Sequence, residues 1–132
     1  MVSFLFILIL TFDIFCCFLK VVKESTLLLS SRAVAALATK VRGLRMIACA
    51  SQVISWVAQS KMNAYVSWDL NAWDVAAGML IIEESGGKVI NINGESANIT
   101  SRDLIFTCDE GKKSILQDQL RGVLVESGCE DY

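Results

Sequence analysis

The sequence predicts a layered α/β fold. Short apolar runs alternate with longer segments in which apolar residues recur at helical spacing. The predicted elements follow the order β-α-β-α-β-α-β-β-α, which is typical of helices layered on a sheet. A chain of 132 residues is long enough for one domain with its own core and too short for two. We therefore expect one α/β domain or part of one.

The first four elements are predicted from residues 26 to 59. Residues 26–29 form a short apolar run that predicts a buried strand, and the alanine-rich segment 33–41 predicts a helix. Residues 44–48 predict a short strand. Residues 50–59 predict a second helix, because apolar residues return there at helical spacing.

The later elements are predicted from residues 64 to 125. Residues 64–68 predict a strand, and the polar turn after them leads into a helix at residues 73–85. Residues 88–92 and 104–108 predict two more strands, with a polar loop between them. Residues 112–125 predict the last helix.

The N-terminal segment differs from the rest of the chain. Residues 2–19 form an apolar run whose length just reaches that of a membrane span, broken by Asp13 near its middle. A charge at that depth costs about 2.5–3.5 kcal/mol on insertion scales. No basic residue precedes the run, so a secretory signal is not indicated. Three interpretations stay open: a membrane anchor, a strand-helix segment of the domain, or sequence outside the folded domain.

We favour the third interpretation, which divides the chain into three parts. Residues 1–20 are then a hydrophobic leader, residues 21–125 an α/β domain, and residues 126–132 an acidic tail that frays.

Composition limits the chemistry. The net charge of −2 and the charged fraction of 20% indicate no polyanion-binding surface, so nucleic acid is not an expected partner. The absence of histidine excludes a Ser-His-Asp or Cys-His mechanism and His-ligated zinc within these residues. Five cysteines without a C-x-x-C pair do not predict a disulfide framework. We therefore expect a reducing, cytoplasmic location, with the membrane as the alternative through residues 2–19.

The helix at residues 73–85 is the most informative element. Residues 75–82 are apolar on every side, which predicts a helix buried on most faces. Gly86 and Gly87 then supply the stop that ends it. Asp74 lies in the first turn, where the simplest interpretation is an N-cap, although Asn71 is an equally good cap.

Two details point beyond capping. Trp73 is expected to fix the start of the helix by packing, while Ala76, Ala77 and Gly78 leave room for a ligand to approach the first turn. A carboxylate at the edge of a buried element needs a positive partner, and a hard divalent cation is one such partner.

The segment W-D-V-A-A-G-M-L-I-I-E-E-S-G-G at residues 73–87 resembles the C-terminal signature of the inositol monophosphatase family of magnesium-dependent phosphatases. The resemblance extends to V-R-G-L-R at 41–45, A-C-A-S at 48–51 and N-A-Y at 63–65. It covers about residues 26–120 and implies the C-terminal half of the inositol monophosphatase/fructose-1,6-bisphosphatase-like fold.

The resemblance implies a metal and substrate site. Asp74 corresponds to a residue that binds Mg2+ and contacts a substrate hydroxyl, and Ala48, Cys49 and Ala50 correspond to the substrate pocket. Ser67 stands where many members carry a glutamate that hydrogen-bonds the substrate, so inositol specificity is not implied. From the residues alone, 48–50 could be only a tight turn and Ser67 only an exposed strand residue. A nucleophilic role for Cys49 is disfavoured, because the chain offers no histidine partner.

The resemblance is incomplete. The family's D-P-x-D-G-T segment is absent, since these residues contain no proline. The resemblance therefore implies the C-terminal half of a phosphatase of inositol monophosphate or a similar small phosphomonoester. We expect this half to be inactive alone. The resemblance also makes a homodimer a possible state of the intact protein. One alternative is a sugar-bisphosphate or nucleotide phosphatase of the same superfamily. Another is a non-enzymatic, membrane-tethered fragment that binds an intact subunit.

Overall fold

The computed structural model describes residues 15–18, 24–108, 111, 117–118 and 121–122. Helices and strands alternate along it, and the predicted layered α/β fold is confirmed. The elements are β1 Phe15–Phe18, α1 Glu24–Ala38, β2 Leu44–Met46, α2 Ala50–Ala58, β3 Ala64–Trp68, α3 Ala72–Glu84, β4 Lys88–Ile90 and β5 Asp103–Thr107.

The five strands form one mixed sheet in the order β2-β1-β3-β5-β4. Strand β1 is parallel to both of its neighbours, β2 and β3. Strand β5 is antiparallel to β3 and to β4. Parallel neighbours need a crossover connection, and helices α1 and α2 lie in the connections between the parallel strands.

The sheet lies between helix α1 on one side and helices α2 and α3 on the other. Successive side chains of a strand point to opposite faces, so each face carries its own hydrophobic cluster. The cluster with α1 contains buried Ala33, Leu37, Ala64, Val66, Trp68, Ile90, Ile92 and Ile105. The cluster with α2 and α3 contains buried Val53, Ile54, Val57, Tyr65, Leu70, Val75, Met79, Ile82, Val89, Leu104 and Phe106.

Six predicted elements between residues 44 and 108 are confirmed, with ends shifted by at most two residues. The predicted helix at 112–125 lies largely outside the described residues, although the described positions 117–118 and 121–122 are helical. The tail at 126–132 lies wholly outside them.

The predicted strand at residues 26–29 is wrong, because helix α1 runs through it from Glu24 to Ala38. A short apolar run does not by itself distinguish a strand from a turn of buried helix. No glycine or proline separates this run from the alanine-rich segment that follows. The helical pattern of that segment therefore continues back through the run.

The first strand of the fold lies inside the predicted leader. Phe15–Phe18 pair with β2 on one side and with β3 on the other, so the view that the whole apolar run lies outside the domain is wrong for these four residues. A continuous apolar segment is typical of a parallel strand covered on both faces. Residues 1–14 lie outside the described residues. Within the part of the chain that is described, no helix has the length and apolarity of a membrane span.

Helix α3 is buried on one side only, which corrects the prediction of burial on most faces. Its buried residues are Val75, Gly78, Met79 and Ile82. On the opposite side the apolar side chains of Trp73, Leu80 and Ile81 are 81%, 59% and 43% exposed. Helix α2 and the sheet cover the side with Val75 and Met79, and no described element covers the side with Leu80 and Ile81.

Glycines shape both the packing and the end of α3. A Cβ at Gly78 would lie 2.8 Å from Ile54 Cδ1, so α2 and α3 approach closely at this point. Gly86 has φ +78°, a left-handed conformation that suits the chain reversal after the helix. A Cβ at Gly87 would lie 2.7 Å from the Thr107 carbonyl oxygen. The glycine pair thus stops the helix, as predicted, and also lets the chain pass close to β5.

Candidate functional site

The starts of helices α2 and α3 line one cavity, which we call the α2–α3 cavity. Its volume is about 460 Å3, within the range of small-molecule sites. Its wall contains Ala48, Cys49, Ala50, Ser51, Leu70, Asn71, Trp73 and Asp74. The structure therefore brings together Ala48, Cys49, Ala50 and Asp74, four of the five residues that the sequence singled out.

Helix α3 begins with a reciprocal pair of hydrogen bonds. The Asn71 backbone N–H donates to Asp74 Oδ2 at 3.2 Å, and the Asp74 backbone N–H donates to the Asn71 carbonyl oxygen at 3.0 Å. Asn71, in extended conformation, is the N-cap, and Asp74 is the third residue of the helix. The interpretation of Asp74 as the N-cap is therefore wrong. Its carboxylate instead reaches back to the cap in a capping box.

The capping contacts engage one carboxylate oxygen. The Asn71 side-chain amide also approaches Asp74 Oδ2, at 3.5 Å. Within the described residues these contacts leave Asp74 Oδ1 without a protein partner. Among the described residues, Asp74 is the only carboxylate on the cavity wall, and its orientation is fixed by the start of the helix that carries it.

The N-terminal residues of both helices line the cavity. Backbone N–H groups in a first helical turn lack intrahelical acceptors, and the helix dipole adds partial positive charge. The first turn of α2 contains no acidic residue to compensate that charge. An anion such as a phosphate group is favoured where such ends meet. The described part of the cavity wall thus combines the starts of two helices, which favour an anion, with one carboxylate, which favours a cation.

Cys49 lies at the start of α2 with its side chain exposed. The Gln52 backbone N–H, and to a smaller extent the Ser51 hydroxyl, favour the thiolate and lower the pKa of Cys49. Its Sγ lies 3.7 Å from Ser51 Oγ. No histidine exists in the sequence to act as its base, so these contacts make the thiol more acidic without completing a nucleophilic pair.

Ser67 is the predicted site residue that does not reach the cavity wall. It lies in β3 opposite Leu104 of β5 and is completely buried, so the alternative of an exposed strand residue is wrong. Its hydroxyl has no hydrogen-bond partner among the described residues. Its position in the middle of the sheet explains the burial.

The sequence missed a polar link beside the site. Asp69 adopts φ +57°, and its backbone N–H donates to the Arg102 carbonyl oxygen at 2.7 Å. The Arg102 guanidinium returns to Asp69 Oδ1 at 3.3 Å through Nη1. Aspartate tolerates the left-handed region better than most residues, so an aspartate in a predicted turn was the one sequence signal for this link.

The packing role predicted for Trp73 is wrong, because its side chain is largely in solvent.

The described residues contain no group of three or more His, Cys, Asp or Glu side chains that could hold a metal ion. Asp74 is therefore a single candidate ligand. Mg2+ is commonly held by one or two carboxylates together with water and substrate phosphate oxygens. Asp74 alone would supply one of the carboxylates that such a cation commonly uses, so the described residues fit Mg2+ in part.

Fold and cavity together define an α/β protein with a cavity lined by the starts of two helices, a kind of position at which phosphate groups are often bound in proteins. The sequence profile of the inositol monophosphatase family matches residues 17–124. The chain therefore belongs to the inositol monophosphatase family, a family of phosphatases.

Relatives agree with this assignment. The chain is 34% identical over 68 residues to a Thermotoga maritima protein named fructose-1,6-bisphosphatase/inositol-1-monophosphatase, a match that covers 52% of this chain and 27% of the relative. It is 35% identical over 82 residues to the Caulobacter vibrioides inositol-1-monophosphatase, covering 62% and 32%. The structure of a Thermotoga maritima IMPase superposes with a TM-score of 0.77 at 22% identity, covering 89% of this chain and 43% of that one. The chain thus spans less than half the length of these relatives.

Proposed function

We propose that this chain forms the C-terminal half of a Mg2+-dependent phosphatase that hydrolyses inositol monophosphate or a similar small phosphomonoester. The observation that carries the proposal is the convergence of Asp74 and the starts of α2 and α3 on one cavity. Asp74 would hold Mg2+, and the turn formed by Ala48, Cys49 and Ala50 would contact the substrate.

Each part of the cavity has its own task in this proposal. The amides at the starts of α2 and α3 bind and orient the phosphate group. The Asn71 backbone N–H fixes the Asp74 carboxylate and leaves Oδ1 to face a cation. A bound Mg2+ would supply charge stabilisation of the phosphoryl oxygens and a more acidic water.

We further propose that the chain has little or no activity by itself. Metal-assisted ester hydrolysis commonly uses two cations, which several carboxylates must hold, and the described residues of the cavity wall offer one carboxylate. The D-P-x-D-G-T segment that supplies further ligands in the family is absent from these residues. The missing groups would come from another polypeptide segment.

Metal titration of the purified chain tests the role of Asp74. Mg2+ would be titrated with inositol 1-phosphate present, and binding followed by calorimetry. We expect Asp74→Asn to weaken Mg2+ binding by about 10-fold or more, since loss of even an outer-shell partner often costs that much. Glu84→Gln, at the far end of the same helix, is the matched control and is expected to bind as the wild type does. Equal affinity in all three proteins would refute the ligand assignment.

A turnover assay with inositol monophosphate and Mg2+ tests the proposed inactivity of the isolated chain. We expect phosphate release at the background rate. Robust turnover that Asp74→Asn abolishes would overturn the proposed inactivity, and it would support the assignment of Asp74 to the site.

Two alternatives have specific support. A relative's name includes fructose-1,6-bisphosphatase, which favours a sugar bisphosphate as the alternative substrate. The exposed apolar side chains of Trp73, Leu80 and Ile81 favour a non-enzymatic fragment that binds an intact phosphatase subunit. Co-sedimentation with a full-length family member would test the second alternative. Fractionation without detergent would test both the membrane tether and the proposed cytoplasmic location.

A further inference from the structure

The turn between β3 and α3 carries the residue that caps α3. Residues 69–71 connect Trp68, the last residue of β3, to Ala72, the first residue of α3. Asn71 is the N-cap, and its backbone N–H donates to Asp74 Oδ2 at 3.2 Å. The direction of the Asp74 carboxylate therefore depends on where this turn places Asn71.

Asp69 gives the turn an uncommon backbone conformation. Its φ is +57°, in the left-handed region that few residues other than glycine adopt, although aspartate is enriched there. A conformation of this kind persists where the surrounding contacts determine it. Contacts between the turn and the rest of the fold are therefore expected to hold it at this residue.

Arg102 supplies such contacts from the position just before β5. The Asp69 backbone N–H donates to the Arg102 carbonyl oxygen at 2.7 Å, and Arg102 Nη1 donates to Asp69 Oδ1 at 3.3 Å. The same Nη1 approaches the Leu70 carbonyl oxygen at 3.5 Å. Because Trp68 of β3 is paired with Asp103 of β5, this link continues the pairing of the two strands into the turn.

Both chain neighbours of Arg102 are themselves held by hydrogen bonds. The Ser101 backbone N–H donates to the Asn98 carbonyl oxygen at 3.0 Å, and the Asn98 backbone N–H donates to Ser101 Oγ at 3.1 Å. Asp103 Oδ2 accepts from the Ile92 backbone N–H at 3.0 Å. The turn is therefore held against an ordered part of the chain at the edge of β5.

We propose that Arg102 is a positioning residue for the Asp74 carboxylate. Its contact with Asp69 stabilises the left-handed turn, and the turn places the Asn71 N–H that holds Asp74 Oδ2. Functional groups have to be held within about 0.5 Å of their working geometry, which requires support from the residues behind them. The effect of Arg102 on metal binding rests on the proposed function, whereas its effect on the start of α3 does not.

Four variants separate the contact between Arg102 and Asp69 from other effects. Arg102→Met removes the charged donor and keeps an aliphatic side chain. Asp69→Gly removes the acceptor and keeps access to positive φ, whereas Asp69→Asn keeps both an acceptor oxygen and a tolerance for positive φ. Arg45→Met is the matched control for the loss of charge, because Arg45 is an exposed arginine of β2 that does not line the α2–α3 cavity.

Hydrogen exchange at the two ends of α3, measured by NMR on the full chain, is the first readout. The Asn71 N–H reports the capping contact, and the Gly87 N–H, which donates to the Ile82 carbonyl oxygen at 2.8 Å, reports the other end. A loss of overall stability would accelerate exchange at both amides. The ratio of the Asn71 rate to the Gly87 rate therefore isolates a change at the start of the helix.

The contact is partly exposed, with the Arg102 side chain 60% and the Asp69 side chain 28% accessible to solvent, so the expected effect is modest. We expect Arg102→Met and Asp69→Gly each to raise the exchange ratio by about 3-fold, on the scale of one exposed ion pair. The double variant should raise it no further, because both changes remove the same contact. Asp69→Asn and Arg45→Met should keep the ratio of the wild type, and an Asp69→Asn ratio equal to that of Asp69→Gly would overturn the positioning role.

Titration of Mg2+ with inositol 1-phosphate present, followed by calorimetry, is the second readout. We expect Arg102→Met and Asp69→Gly to weaken Mg2+ binding by about 3-fold, which is less than the loss expected for Asp74→Asn. Asp69→Asn and Arg45→Met should bind Mg2+ as the wild type does. Urea unfolding of each variant checks that it is folded under the conditions of the titration.

The outcomes separate the positioning role from the proposed function. A raised exchange ratio in the variants of a chain whose wild type binds no Mg2+ supports the role of Arg102 at the start of α3 and contradicts the metal site. An unchanged exchange ratio overturns the positioning role, and the metal site then stands if Asp74→Asn still weakens Mg2+ binding. A raised exchange ratio with unchanged Mg2+ affinity overturns the link between the turn and the metal site.

Discussion

The two sides of helix α3 have similar apolar side chains and opposite environments. Met79 and Ile82 lie in the cluster between the sheet and α2, whereas Leu80 and Ile81 lie next to them in sequence and face solvent. Hydrophobicity alone therefore does not determine which side of this helix is packed. The side that meets α2 and the sheet is buried, and the other side remains available to a ligand or a partner.

Truncation of one side chain on each side gives the largest expected contrast. Ile82→Ala should lower the free energy of unfolding by about 2–5 kcal/mol, because it opens a cavity at a completely buried position. Leu80→Ala should change it by no more than about 0.5 kcal/mol, because that side chain is already mostly in solvent. Urea unfolding followed by circular dichroism measures both. Similar losses for the two variants would show that the exposed side is covered in solution.

A smaller contrast comes from adding atoms instead of removing them. Gly78→Ala places a Cβ 2.8 Å from Ile54 Cδ1. We expect a net loss of stability of about 1 kcal/mol, because overpacking against Ile54 costs about 2 kcal/mol and alanine returns about 1 kcal/mol of helix propensity. Ala76→Leu, on the exposed side, should be nearly neutral. Adding Ile54→Val to Gly78→Ala should recover part of the loss, and a Gly78→Ala protein as stable as the wild type would contradict the close approach.

The third comparison leaves the fold unchanged and measures the reactivity of two cysteines, Cys49 and Cys108. Cys49 lies on the open cavity and has a lowered pKa because the Gln52 N–H and Ser51 favour its thiolate, whereas burial raises the pKa of Cys108. At neutral pH a larger fraction of Cys49 is thiolate, and this form reacts with alkylating agents. Cys49 should therefore be alkylated by iodoacetamide before Cys108, and the increase of its rate with pH should begin at a lower pH than that of Cys108.

Peptide mass spectrometry across a pH series resolves the two cysteines. Urea unfolds the chain and removes the environments that separate the two pKa values. The alkylation rates of Cys49 and Cys108 should therefore become similar in urea. Faster labelling of Cys108 in the folded chain would contradict the environments described here.

Local pattern was sufficient for much of the fold and for part of the site. Asp74 and the small residues 48–50 were singled out from a resemblance in sequence, and the structure places them on one wall because both segments start helices on the same side of the sheet. The sequence pattern did not determine which residue is the N-cap of α3, because Asn71 and Asp74 are both good N-cap residues. Only the hydrogen-bond geometry distinguishes them.

Long-range contacts explain what the sequence did not predict. Strand β1 was not assigned because its apolar residues are continuous with a longer apolar run, and only pairing with β2 and β3 marks its limits. Burial of Ser67 follows from its position between neighbouring strands, which no local pattern reveals. The contact between Arg102 and Asp69 joins residues 33 positions apart, so it exists only once the strands between them have formed.

The position of β1 has a consequence for aggregation. Strand β1 is the sole link between β2 and the rest of the described sheet, so without Phe15–Phe18 the strand β3 would become an edge. An edge strand presents unpaired N–H and C=O groups that can template pairing with another chain. The backbone of β3 carries Ala64, Tyr65 and Val66, a buried apolar run of the kind that self-associates when exposed. Phe15–Phe18 thus cover the edge of a buried, largely apolar strand that could otherwise pair with another chain.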